Sequence, residues 1–156
     1  MLKFETNSKD IEKLLKNAPE QLKNKIKTEV NEVSENIAND ARRLCTVGVS
    51  GELRRSIRVK HEGDDTLVGT DIKYAPYVEY GTKPHWTSAK NLKDWEMYKL
   101  KAGSGKKGEQ KALSVAYAIV NKIAKEGTKP HPFLTPAIDK WLPMLVKRID
   151  EIVGGW

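Results

Sequence analysis

The sequence predicts an α+β domain: a long N-terminal helix and a C-terminal helix packed on a small antiparallel β-sheet, with an inserted helical pair. Three observations carry that prediction. Leu22, Ile26, Val30, Val33, Ile37, Ala41 and Leu44 recur every three or four residues, the apolar stripe of a helix of roughly 25 residues and ~38 Å. Residues 53–70 switch to a period of two around a Gly63-Asp64-Asp65 turn, the pattern of a hairpin. Beyond the aromatic stretch that follows, the apolar spacing returns to three and four in three further segments, separated by the loop at 103–108 and the turn at 127–134. A chain of 156 residues suits one well-filled core, so residues 1–156 are expected to form a single domain with its helical insertion at about 86–126.

In order along the chain, Ser8 is placed to cap a first amphipathic segment carrying Ile11, Leu14, Leu15 and Ala18, and Pro19 marks the break before the long helix. Residues 46–51 end that helix. Residues 54–61 read as a half-buried strand with Ile57 and Val59 inward and Ser56, Arg58 and Lys60 outward. Residues 66–70 are the returning strand, with Leu67 inward. Thr87 or Ser88 opens a helix bearing Leu92, Trp95 and Leu100 that ends at Gly103, and residues 103–108 form a flexible basic loop. Leu113, Ala116, Tyr117, Val120, Ile123 and Ala124 stripe the next helix, closed by Gly127. Thr135 and Pro136 are N-cap and first residue of the last helix, with Ile138, Leu142, Leu145, Ile149 and Ile152 inward and a kink or restart at Pro143.

Residues 74–86, YAPYVEYGTKPHW, concentrate Tyr74, Tyr77, Tyr80, His85 and Trp86 between two prolines and a glycine. Tyr74, Tyr77, Val78 and Gly81 fall at helical spacing, so one short helical turn is expected to present them on one side and to end at the glycine. Tyrosines join an apolar body to a polar tip, which suits a surface that another chain covers. A helix that merely caps its own core fits the chemistry equally well. The ending GTKPH recurs at residues 127–131 and runs into Pro132-Phe133-Leu134. Both copies read as rigid exits from a helix, and Phe133 is expected in the core beside Tyr77 or Val78.

Lysine and arginine number 28 against 21 acidic residues, a net charge of +7. That excess suits nucleic acid or an acidic partner, but the basic groups are short, and solvated faces account for them as well. Cys45 stands alone, which excludes an internal disulfide and points to a reducing compartment. The N-terminal residues carry no apolar stretch of a secretory signal, and no run approaches the ~18 apolar residues of a membrane span. Gly103, Gly105 and Gly108 spell G-x-G-x-x-G, but they follow a predicted helix where a dinucleotide site needs a strand. Ser50 misses the nucleophile-elbow spacing, and Cys45, His61, His85 and His131 lie too far apart to pair as metal ligands. No catalytic, cofactor or metal constellation emerges.

Three separated segments carry a resemblance. SGELRRSI (50–57), YAPYVEYGT (74–82) and KPHPFLTPA (129–137) resemble, in this order, the signature segments of a tailed-phage family, the neck or tail-completion proteins of siphophages known as the HK-type tail component. The sequence departs from that pattern at Val49-Ser50-Gly51, where a polar or acidic residue and a threonine commonly precede the glycine, and in the longer piece 86–125. The resemblance implies a non-enzymatic minor virion protein at the head–tail junction, made in the host bacterial cytoplasm and needing no cofactor. It implies a subunit of a homo-oligomeric ring that touches neighbouring head-completion or tail-tube proteins. Tyr74, Tyr77, Tyr80 and Trp86 are then protein-interface residues. Arg54, Arg55, Arg58, Lys106 and Lys107 are candidate DNA-facing residues, meeting packaged DNA through its phosphates. Two other classes compete: a basic nucleic-acid-binding protein acting alone, marked by salt-dependent DNA binding of the monomer, and a small basic enzyme, marked by turnover.

Overall fold

A computed structural model describes residues 18–46, 50–63, 65–90, 92 and 105–155. Helix α1 (Glu20–Leu44) opens directly after Pro19, whose carbonyl accepts from the N–H groups of Leu22 and Lys23 at 3.0 and 3.2 Å. The predicted stripe is its inner face: Leu22, Ile26, Val33, Ile37 and Ala41 are buried, with Ser34 and Ala38 beside them, and Val30 is half-buried. Leu44 is exposed instead, because Cys45, one turn beyond Ala41, takes the inward position as the chain becomes extended. The amphipathic segment expected at residues 8–17 and the helix expected through Trp95 and Leu100 fall outside the described residues.

The expected strand at 54–61 begins later. Residues Glu52–Ser56 form a short helix, α2, entered through Gly51 in the left-handed region (φ 61°). Leu53 and Ile57 are both buried, and their spacing of four suits a helical turn as well as the LRRSI alternation suits a strand. The Ser56 hydroxyl closes the turn on the Leu53 carbonyl at 2.8 Å and meets the Thr70 hydroxyl at 2.5 Å. Strand β1 (Arg58–Glu62) then pairs antiparallel with β2 (Asp65–Gly69), Val59 opposite Val68 and Lys60 opposite Leu67. Directly opposed residues share a face of the sheet, and Val59 and Val68 pack on the core. The inward residue of β2 is therefore Val68, and the expectation for Leu67 is off by one position.

Helix α3 (Ala75–Tyr80) follows, then α4 (Lys106–Glu126) and α5 (Thr135–Gly154). Lys106, Lys107 and Gly108, expected in a flexible loop, are the first turn of α4. Its inner residues Ala112, Ala116 and Val120 are buried, and a helix once nucleated on such a face propagates cheaply through lysine. Helix α5 continues through Pro143 without a restart. Pro143 and Asp139, whose carbonyl the missing N–H would have met, both lie on the exposed side, so the carbonyl left without that donor is not shut away from solvent.

Helix α1 packs against both strands and against α5. The two helices run antiparallel: Asp40 accepts from Lys140 Nζ at 2.6 Å and Trp141 Nε1 at 2.7 Å, while Arg148 reaches Glu29 at 2.9 Å and Glu32 at 3.0 Å. Hydrogen bonds from Lys140 and then Trp141 hold the Asp40 carboxyl below its ordinary range. Between these elements lies one core, centred on Val33, Ile37, Ala41, Ile57, Phe133 and Leu134, with Val59, Val68, Val78 and Trp141 packed against it. Phe133 is fully buried in the same cluster as Val78, as expected, whereas Tyr77 faces outward. Ala89, Ala116 and Val120, with Leu92 and Leu113, form a second cluster apart from the first. The insertion thus rests on an apolar patch of its own.

Candidate interaction surface

The tyrosine helix α3 has two sides of opposite character. At about 100° per residue, Ala75, Val78 and Glu79 share one side, and Tyr74, Tyr77 and Tyr80 share the other. Ala75 and Glu79 are buried and Val78 packs on the core. Tyr74 is 44 % exposed, Tyr77 62 %, Tyr80 60 % and, beyond the helix, Trp86 78 %. Val78, expected beside the tyrosines, belongs to the inner side. Burial of part of the ring and the nearby Glu52 carboxylate push the Tyr74 phenol up. The helix caps its own core with one face and leaves the aromatic face to solvent.

What fixes this helix is a carboxylate that sequence reasoning passed over. Glu79, 1 % exposed, accepts the backbone N–H of Phe133 at 2.8 Å and of Leu134 at 3.0 Å on Oε2, and that of Thr135 at 2.8 Å on Oε1. These are donors that the start of α5 leaves without intrahelical partners. Thr135 was expected to cap α5 locally. Instead Leu134 occupies the N-cap position with no side-chain cap of its own, and the Glu79 carboxylate does the capping from another helix, where its charge also suits the helix dipole. Burial pushes the Glu79 carboxyl up, but the N–H groups of Leu134, Phe133 and Thr135 outweigh that and leave it below its ordinary value. A signal was present in the sequence: Glu79 stands four residues after Ala75, on the face opposite the tyrosines.

The two GTKPH copies are bonded to each other. Thr82 and Thr128 form an antiparallel bridge, with N–H to carbonyl distances of 3.1 and 3.2 Å and the two hydroxyls 3.0 Å apart. Each is preceded by a glycine in the same unusual conformation, Gly81 at φ 71°, ψ −173° and Gly127 at φ 74°, ψ −162°. A Cβ on Gly81 would overlap the Thr128 carbonyl oxygen, and one on Gly127 would overlap that of Thr82. The His131 N–H adds a bond to the Val78 carbonyl at 2.8 Å. The repeats are therefore two halves of one clasp that joins the end of α3 to the approach to α5.

The candidate DNA-facing residues do not form one group along the chain. Arg54 and Arg55 are exposed on α2, and Arg58 shares Asp71 with Lys60 on β1, which offsets its charge. Lys106 and Lys107 are exposed on the first turn of α4. Among the described residues no cluster of His, Cys, Asp and Glu could hold a metal ion, and no helix is long and apolar enough to cross a membrane.

Residues 9–81 match the model of a family described as "Bacteriophage HK97-gp10, putative tail-component". That span, a little under half of the chain, runs through α1, the hairpin and the tyrosine helix and stops at Gly81, so it holds the first segment of the resemblance and nearly all of the second. No curated protein and no solved structure matches the chain. The third segment, at 129–137, lies outside the matched span and is tied to the second by Glu79 and the clasp.

Proposed function

We propose that this protein is a non-enzymatic structural component of a siphophage virion, acting at the head–tail junction in neck or tail completion as one subunit of a ring. The observation that carries the reading is the match of residues 9–81 to a phage tail-component family. The aromatic face adds physical support. Tyr77, Tyr80 and Trp86 belong to the residue types in which interface energy concentrates; they stand on or just beyond a short helix whose C-terminal end is fixed by Glu79 and the clasp. A frame already ordered in the free subunit loses little entropy on association. Heterologous contacts through two different faces close into rings, so the partners in this reading are further copies of the chain and the adjoining head-completion or tail-tube proteins.

The test is a phage deleted for this gene, viewed by electron microscopy. Expected are DNA-filled heads with tails absent, defective or unattached, rescued by the gene supplied in trans. Normal, infectious particles from the deletion would remove the virion role.

A further inference from the structure

Helix α4 buries Ala112, Ala116 and Val120 on one side. At about 100° per residue, Lys107, Lys111, Lys122 and Lys125 all fall within roughly 60° of one another on the opposite side, along about 27 Å of helix. All four are exposed. Between them on that face stand Ser114, Ala118 and Asn121, small or neutral; of the two acidic residues of the helix, Glu109 lies well off it and Glu126 stands at its edge, one turn beyond Lys122. Among the described residues none of the four lysines takes part in an ion pair, whereas Arg58, Lys60, Lys140 and Arg148 all do. Lys107 sits in the first turn, where the helix dipole disfavours a cation, so its charge does not serve the helix.

We propose that this lysine stripe is a docking surface for the phosphate backbone of duplex DNA, bound without regard to sequence. A straight row of mobile, unpaired ammonium groups matches a polymer that carries one charge per ~1.7 Å of axis. The face carries four lysines against a single asparagine, Asn121, so phosphate contacts outnumber any that could read a base edge. A protein partner would call for an aromatic or large apolar centre; the stripe has lysines at its centre, and the exposed Tyr117 stands only at its edge. A membrane surface would call for an apolar face beside the lysines, and that face of α4 is turned into its own cluster. The site differs from the arginines of α2 and β1 and does not depend on the phage assignment.

The experiment uses the full-length protein and a fluorescent 30-base-pair duplex, with anisotropy read from ~50 to ~300 mM NaCl. Expected are binding that is equal for two unrelated sequences and a steep decline with salt. K107Q/K111Q/K122Q/K125Q should bind at least about tenfold more weakly at the lowest salt, with the log–log salt slope smaller by about 3.6, since each phosphate contact contributes ~0.9. Glutamine keeps helix propensity, so circular dichroism should be unchanged; should the fourfold variant fail to fold, K122Q/K125Q must show about half the slope change. Absence of binding by the native protein overturns the proposal. So do folded variants that bind like it, and so does tighter binding to polyglutamate or to phosphatidylglycerol vesicles than to the duplex.

Discussion

Glu79 shows how a single residue determines what its neighbours present. An isolated buried carboxylate costs several kcal/mol, yet this one is satisfied by three backbone N–H groups from the start of α5. Its folded pKa lies below the ordinary value of 4.5. The sign follows: the folded state holds fewer protons on this group than the unfolded chain does. Its stabilisation is therefore complete above about pH 4.5 and is lost as pH falls through and below that value. Glu79→Gln keeps one carbonyl acceptor but turns an amide toward donors, and should cost about 2–3 kcal/mol at neutral pH, within the range for hydrogen bonds to a charged group. Thermal melts of both proteins from pH 3 to 7 check it. The gap between them should narrow as acid removes the charge from the native side chain, and a gap constant with pH would show that Glu79 acts only through packing.

At the scale of elements, the clasp depends on conformations that only glycine takes without strain. Gly127→Ala should destabilise by at least about 2 kcal/mol, from the backbone region alone and from the overlap with the Thr82 carbonyl. Gly63 in the hairpin turn is the control, having φ 65° but open space around it. Asparagine tolerates that left-handed turn, so Gly63→Asn should be nearly neutral by denaturant titration while Gly127→Asn is not. Equal tolerance at the two sites would show that the clasp is not under this constraint. Much of the element layout was legible in the sequence, because the α1 and α5 stripes and the hairpin are local periodicities. The pairing of the GTKPH repeats was not: the repetition is visible, but nothing local says that residues 46 positions apart meet. For the same reason Glu79 was missed, since its partners are more than 50 residues away. The LRRSI segment was misread because a spacing of four and an alternation of two coincide at Leu53 and Ile57. Lys106 and Lys107 read as loop because their glycine-rich surroundings are a local signal, whereas the helix that takes them in is enforced by Ala112 and Ala116 further along.

For the whole molecule, the clasp marks where a core and an appendage separate. The family match ends at Gly81, and the bridge at Thr82 and Thr128 closes the chain back on itself one residue later. Among the described residues between them, Ala89, Leu92, Leu113, Ala116 and Val120 form an apolar cluster distinct from the one around Phe133. The main core uses α1, α2, the hairpin, α3, the approach to α5 and α5, and among its buried members none comes from the described residues between Thr82 and Thr128. A shorter connection would make the meeting of Thr82 and Thr128 easier: each halving of a loop saves about 0.6 kcal/mol of closure entropy, so reducing some 45 residues to four saves about 2 kcal/mol. Replacing residues 84–126 by Asn-Gly leaves Lys83 and Gly127 flanking a two-residue turn of the kind that joins antiparallel strands. The shortened chain should remain folded, with a single cooperative melt and a melting temperature no more than a few degrees below the native one, since among the described residues what it loses is the Ala89–Ala116–Val120 cluster and the bonds of the Ile123 carbonyl to the His85 and Gly127 N–H groups, none of them part of the core around Phe133. It should keep Tyr74, Tyr77 and Tyr80 but lose Trp86 together with the lysine stripe, so its DNA binding should fall away while the tyrosine part of the aromatic face remains. An unfolded or aggregating product would mean that α4 supports the core through contacts beyond the clasp.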